Sequence, residues 1–405
     1  MFTRLHVRHP LRALSRVLLT LCCLAAATFS SVALVESPAG AAPSTYVIGN
    51  IGTYTGPASG DYIEIVPLIK AWQSWTNAHG GINGHQVKVI TADDQANPSL
   101  GLQAAQKLVQ QDHAIAIVGS SSNGGTGYST YLQGAKVPLI GATANPAAPS
   151  DLLFFPVGGG ALSVQAGSVA SAKLVNAKKI AVIYCAEAAV CKQFVPVIQT
   201  QATANGMTLS YSSAAPESAP SYTAYCVSAK QSGATAIIPA LQGNTVVSLA
   251  QGCASQNYHP TWLASSPGDG PTFLKEPAMN GSIVAEGVFP YVLNNSPATT
   301  AFHDAIKKYA PAILKSTGYN QALAYVWSDF QMFAKAASTM KSNTPAALTT
   351  SLTKVKNETL GGLIGPQSYS ATKQTNSTCY ALMKQTDGKY VAIDGGAFKC
   401  PPATS

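Results

Sequence analysis

The sequence predicts an α/β fold of two lobes around a cleft. Short apolar runs alternate with amphipathic segments throughout the chain after residue 45, which is the signature of strands joined by crossover helices. That alternation restarts beyond residues 152–157. The length past the leader, about 360 residues, is also more than one ordinary domain holds. Clefts between lobes are where small ligands usually bind.

Residues 1–41 are expected to be a signal peptide. Arg4, Arg8, Arg12 and Arg16 make a basic leader free of acids, an apolar run extends from Val17 to Val35, and Ser37-Pro-Ala-Gly-Ala-Ala42 supplies small residues. Cleavage after Ala41 fits that order. The rival is an uncleaved anchor, because the run is long enough to span a bilayer. Cys22 and Cys23 lie too early in the run for lipidation. No later stretch reaches the roughly 18 apolar residues of a spanning helix. The expected location is periplasmic or extracellular, associated with the cell surface.

Net charge is +8, and the leader's four arginines and Glu36 leave +5 on the rest. These charges are scattered, with no clustered basic stripe, so no nucleic-acid partner is expected. Beyond the leader stand six cysteines: Cys185, Cys191, Cys226, Cys253, Cys379 and Cys400. An even count in an exported chain reads as disulfides, and six cysteines allow fifteen pairings. Sequential pairing is the simplest. Tight C-x-x-C pairs are absent and the histidines are dispersed, so neither a metal nor a cofactor is expected.

The elements follow in order. Tyr46–Ile51 reads as a strand, 61–77 as a helix stopped by Gly80-Gly81, and Gln86–Thr91 as a strand. Pro98 opens a helix to Gln111. Ala114–Val118 is an apolar strand buried on both faces, leading to the loop 119–125, a helix to Gln133, and a strand at Val137–Ala142. Leu152–Val157 reads as a crossover. The second unit has strands at Lys179–Tyr184, Met207–Tyr211, Ala234–Pro239, Trp262–Ala264 and Ile283–Val288, with helices at 190–204, 221–232 and 244–256. Cys226 and Cys253 fall on helices flanking one strand, where a bridge is plausible. Helices near 299–309, 320–339 and 345–354 precede a hairpin at 379–383 and 390–393, and Cys400 lies in reach of Cys379.

Five stretches in the first unit resemble a known family: Ile48-Gly-Asn-Ile-Gly-Thr-Tyr-Thr-Gly-Pro57, Asn77-Ala-His-Gly-Gly-Ile-Asn-Gly84, Val89-Ile-Thr-Ala-Asp-Asp94 with Pro98, Ala116-Ile-Val-Gly-Ser-Ser-Ser-Asn123 and Val137-Pro-Leu-Ile-Gly-Ala-Thr-Ala144. In order and spacing they resemble the type I periplasmic solute-binding proteins of ABC transporters, within them the branched-chain (Leu/Ile/Val) amino-acid-binding group. The resemblance implies two Rossmann-like lobes joined by three crossovers. Lobe 1 is then 45–158 with 291–345. Lobe 2, or additions near the hinge, is 159–290 with 346–400.

The resemblance places a ligand's acidic end against Ser122 or Asn123, with Ser121 beside them, and against the turn Ala142-Thr143. Polar groups at the carboxyl ends of parallel strands suit that role on physical grounds as well. The second lobe departs from the amino-acid pattern. An acidic residue is expected after the strand at Trp262–Ala264, and this chain has Ser266 there, with Asp269 usable only through a rearranged loop. Zwitterionic branched-chain amino acids are therefore not the expected best ligands.

Each candidate has a plainer reading. Asp93-Asp94 suggests paired catalytic carboxylates, but adjacent strand residues point apart, and a structural role is the stronger reading. With no G-x-S-x-G elbow, no enzyme is expected. Tyr54, Tyr184, Tyr291, Tyr325 and Trp327 are cleft aromatics or core. Gln242 and Asn244 follow a strand end, where capping accounts for Asn244. Two functions remain. One is a monomer that hands a small polar solute (amino acid, amide or small organic acid) to the membrane permease of an ABC importer. The other is an extracellular sensing receptor of the same fold, which is expected to be fused to a membrane or signalling segment.

Overall fold

The computed structural model describes residues 44–401 except 57–58, 126, 143–150, 188, 266–268, 373 and 375–376. The expected signal segment, Thr143 and Ser266 lie outside the described residues.

Strand β1 (Tyr46–Gly52) is buried on both faces except at Val47. A strand covered on both faces needs the continuous apolar run seen in this sequence. It leads to α1 (Ile65–Ala78), β2 (Val87–Asp93) and α2 (Pro98–Gln110). The start of α2 is set by Asn97, whose side chain accepts the N–H groups of Ser99 and Leu100, with Pro98 in the first turn. Then come β3 (Ile117–Ser120), α3 (Ser129–Ala135), β4 (Leu139–Ala142) and β5 (Phe154–Phe155). The sheet order is β2-β1-β3-β4-β5, with every pairing parallel. The stretch expected as a crossover thus adds a two-residue strand to this sheet.

The second unit begins with α4 (Ala161–Leu174), a helix the sequence reading missed. It continues through β6 (Lys179–Cys185), α5 (Ala189–Ala204), β7 (Thr208–Ala215), α6 (Thr223–Gln231), β8 (Ala236–Ala240), α7 (Gly243–Ser255), β9 (Thr261–Ser265), α8 (Pro271–Lys275) and β10 (Ile283–Glu286). Next are α9 (Pro297–Tyr309), α10 (Ala322–Ala337) and α11 (Pro345–Leu352), then β11 (Ala381–Thr386) and β12 (Lys389–Ala392). The second sheet has the order β12-β11-β10-β9-β8-β6-β7. The expected hairpin, β11 and β12, extends it antiparallel from β10. Helices α9 and α10 pack on α1, α10 also covers β3 and β4, and α11 packs on α10.

Three crossovers between the sheets lie side by side. The N–H of Gly159 donates to the carbonyl of Gly287 at 2.7 Å, and that of Phe289 to Leu363 at 2.8 Å. Val288 and Ile364 form an isolated antiparallel bridge, and Gly159 and Ser377 a parallel one. A Cβ on Gly287 would sit 1.9 Å from the Gly159 carbonyl oxygen, so this approach requires glycine. The disulfides are Cys185–Cys191, Cys226–Cys253 and Cys379–Cys400, the sequential pairing. Among the described residues no helix is long and apolar enough to cross a membrane.

Candidate functional site

In each sheet the strand order reverses once among the parallel strands, between β1 and β3 and between β6 and β8. Loops leaving the carboxyl ends of strands diverge at such a point and open a crevice for ligands.

In the first sheet the crevice is lined by hydroxyls tied to two aspartates. Asn50 reaches from β1 to donate to the carbonyls of Val118 (2.9 Å) and Gly119 (2.8 Å), and accepts the Tyr54 hydroxyl. Asp94 is buried. It accepts the Thr53 hydroxyl at 2.7 Å, the Ala96 N–H at 3.0 Å, and the Ser122 hydroxyl. The Thr53 oxygen accepts the Asn123 N–H at 2.9 Å. Asp93 accepts the N–H of Tyr54 (2.9 Å) and the Thr55 hydroxyl. Partial burial favours its neutral form, but these hydrogen bonds outweigh it and hold the carboxyl below its usual range. The pair Asp93-Asp94 therefore acts as a clasp between the loops after β1, β2 and β3.

These bonds change what the serines offer. Ser122 is buried and gives its single proton to Asp94, so it presents lone pairs rather than a donor. Ser121 is buried and donates to Gly119 at 3.4 Å. Asn123 is exposed at the rim. Ala142 ends β4 half-buried, and behind it Asp329 of α10 packs where a Cβ on Gly141 would stand, 1.9 Å away. Burial pushes the Asp329 carboxyl well up, and its Oδ2 has no partner.

In the second sheet the strand ends carry acids. The Glu187 carboxylate, after β6, accepts the N–H of Glu217 at 2.8 Å, and that of Glu217, after β7, accepts the N–H of Gln242 at 3.0 Å. Gln242 precedes α7 without capping it, and Asn244 is an exposed first-turn residue; the capping expected of Asn244 is not made. Tyr184 is half-buried and packs against the core that α4 and α5 form with the second sheet. Tyr291 is buried against Tyr319 and Tyr390, ring centroids 5.0 and 6.2 Å away, and is likewise core.

Asp269 is fully buried beside α8. Its Oδ1 accepts the N–H of Gln321 at 3.2 Å, and its backbone carbonyl accepts the hydroxyls of Tyr390 (2.9 Å) and Tyr291 (3.4 Å). Oδ2 has no partner. Burial, with a contribution from Asp61, raises its pKa to about 7. Glu286, the last residue of β10, is also fully buried, and neither of its carboxylate oxygens has a partner. Burial and the neighbouring Asp269 push it well above the usual range. Asp61, in the loop before α1, is raised to about 6 by burial and Glu217. The second unit thus buries two acids, Asp269 and Glu286, near the ends of β9 and β10. The signal for Glu286 was legible as a lone acid ending the apolar run Ile283-Val-Ala-Glu286.

Asp61, in the loop after β1, lies near acids that follow strands of the second sheet. It feels the charges of Glu217 and Asp269 from the second sheet, while Asn320 donates to its carbonyl at 3.0 Å. No group of three or more His, Cys, Asp or Glu among the described residues is arranged to hold a metal.

The family model described as "Periplasmic binding protein" matches residues 45–389. An amino acid binding protein of Pseudomonas aeruginosa is 33% identical over 151 residues, covering 34% of this chain and 38% of that protein's length. A leucine binding protein, LivK, from Thermotoga maritima superposes with a TM-score of 0.70 at 15% identity, covering 88% of this chain and 99% of its own. A solute binding protein of an ABC transporter from R. palustris, in complex with 4-hydroxybenzoate, gives 0.68 at 17% identity, covering 87% and 96%.

Proposed function

The chain belongs to the periplasmic binding protein family, and from that premise we propose that it captures a small polar solute outside the cytoplasm and hands it to the permease of an ABC-type importer. The observation that carries this reading is the meeting of the two sheets' loops at the start of α10, where Asn320 donates to the carbonyl of Asp61, after β1, and the N–H of Gln321 donates to Asp269, after β9. A site divided between two lobes gains affinity when the lobes close on the ligand. The solute class is an amino acid, an amide or a small organic acid. The ligands for which those two neighbouring proteins are named or with which they were crystallised, leucine and 4-hydroxybenzoate, are both small and carry a carboxylate. On the first lobe, Asn123, Ala142 and Thr143 are the proposed contacts for that end, with Ser121 and Ser122 shaping the loop behind them. On the second, Ser266 and Gln242 are proposed at the rim.

A thermal-shift panel of amino acids, amides, organic acids and sugars tests the reading. Ligand that binds only the folded state raises the melting point with concentration. One class giving a saturable shift at micromolar levels is the expected result. A panel with no shift in any class refutes it.

A further inference from the structure

The stretch Asn77-Ala-His-Gly-Gly-Ile-Asn-Gly84 takes no part in the crevice. It joins the end of α1 to the start of β2, at the amino ends of the first sheet's strands, whereas the crevice lies at their carboxyl ends. Asn77 anchors it, donating to the Val87 carbonyl at 2.9 Å and accepting the Val87 N–H at 2.8 Å. Gly81 stands at φ +72°, and a Cβ there would meet the His85 carbonyl oxygen at 2.1 Å, so this bend requires glycine. Ile82 and His85 then form an isolated bridge. The end of α10 comes alongside, where Asn83 donates to the carbonyl of Ser338 at 2.5 Å.

Between the ends of α1 and α10 lies a pocket of about 320 Å³, a volume within the range of about 300–1,000 Å³ common to small-ligand sites. Its apolar lining is Trp75, Ile82 and Ala334. Trp72, Trp262 and Trp327 are fully buried, and Trp75 alone of the four tryptophans is partly exposed. Its ring leans on that of His79, centroids 4.2 Å apart. The His79 Nδ1 donates to the Trp75 carbonyl at 2.7 Å, which leaves Nε2 of the neutral ring as an acceptor. Asn83 spends its amide hydrogens on Ser338 and keeps its oxygen free. The Thr76 hydroxyl and the Gln331 amide line the same pocket, engaged by no other group among the described residues.

These groups select the chemistry of an occupant. No Lys, Arg, Asp or Glu lines the pocket, and Lys335 of α10 is paired with Glu358 at 2.8 Å. A charged ligand would lose water there without gaining a counter-charge, which is costly. A wholly apolar one would strip water from the amide and hydroxyl groups and offer nothing in return. An uncharged molecule with one apolar face and a polar edge meets both conditions. A pyranose ring is built that way: its axial C–H bonds form a face that lies flat on an indole, and its hydroxyls both donate and accept.

We propose that this pocket is a second binding site, for a neutral pyranose sugar unit. The ring stacks on Trp75, its hydroxyls donate to Asn83 and His79, and Gln331 and Thr76 donate to its oxygens. The site is separate from the crevice and goes beyond the solute-binding reading.

The test titrates the protein with glucose, N-acetylglucosamine, cellobiose and choline, following tryptophan emission and heat. The expected result is a saturable change with at least one sugar and none with choline. Trp75→Ala should abolish it. Gln331→Ala should weaken it roughly threefold to tenfold, the worth of one neutral hydrogen bond. Melting curves establish that the variants are folded, and Gln331→Ala, a change on a half-buried polar residue, decides the matter if Trp75→Ala does not fold. Sugar binding that is unchanged in either folded variant places the sugar elsewhere and overturns the site, while the solute-binding reading stands. Choline binding that is lost in Trp75→Ala overturns the neutral-sugar class. No binding by any of the three sugars overturns the proposal outright.

Discussion

Gly159 and Gly287 meet backbone to backbone, N–H to carbonyl at 2.7 Å, and so join the first crossover to the second. The contact ties two of the three crossovers between the sheets to each other.

The first prediction follows from that contact. Gly287→Ala places a methyl 1.9 Å from the Gly159 carbonyl oxygen, and backbone on both sides leaves little room to yield. Overpacking of this kind costs about 1–3 kcal/mol. Urea denaturation should show a lower midpoint, and ligand affinity should fall because the crossovers no longer share one path. An unchanged midpoint would mean that the strap relaxes freely.

A second prediction concerns the thiols. With Cys185–Cys191, Cys226–Cys253 and Cys379–Cys400 paired, the unfolded, unreduced chain lacking residues 1–41 should titrate with essentially no free thiol. Replacing both Cys226 and Cys253 by alanine should cost about 2–4 kcal/mol, since the bridge ties α6 to α7 and restricts the unfolded chain. Two or more reactive thiols would refute the pairing.

A third bears on the first-lobe subsite. Thr143→Ala should leave the fold intact and weaken solute binding by about 0.5–1.5 kcal/mol, the net value of one hydrogen bond. Calorimetry with a solute identified by the panel measures it. Equal affinity would remove Thr143 from the site.

The fourth is a pH dependence without ligand. Asp269 has a folded pKa raised from 3.8 to about 7, so the folded state holds its proton where the unfolded chain has lost it. The folded form therefore binds more protons between about pH 4 and 7, and stability falls as pH rises through that window. Glu286, whose carboxyl is also pushed up by burial, contributes in the same direction. Chemical denaturation at pH 5, 6, 7 and 8 should show declining stability, and Asp269→Asn should flatten the decline between pH 5 and 7. Stability that rises across this range would show that the pair is neutralised otherwise.

The parts legible in sequence were those where one local signal dominates. The apolar runs of β1, β3 and β4 read directly as strands, that of β3 as one covered on both faces. Pro98 marked the start of α2, and the hairpin read at 379–383 and 390–393 corresponds to β11 and β12. Helix α4 escaped because small and apolar residues are spread around its whole circumference, from Ser163 and Gly167 to Val169 and Ala172, leaving no polar stripe to betray it. Ser122 and Asn123 were singled out from the family resemblance and from their place after a strand. What sequence did not show was that Ser122 is already engaged by Asp94, a contact between residues 28 apart. Nor did it show that Asp269 and Glu286 both end up fully buried, following and ending the neighbouring strands β9 and β10.

The place of the hairpin also sets the order in which the chain can finish folding. Strand β10 pairs on one side with β9, about twenty residues earlier, and on the other with β11, about a hundred residues later. Until β11 arrives, β10 presents a bare row of backbone donors and acceptors, an invitation to the wrong partner. Helices α9, α10 and α11 all intervene and belong with the first sheet's packing. The second sheet is thus completed only after the first has gathered its covering helices, so its closure is expected to be the slow, aggregation-exposed step of folding.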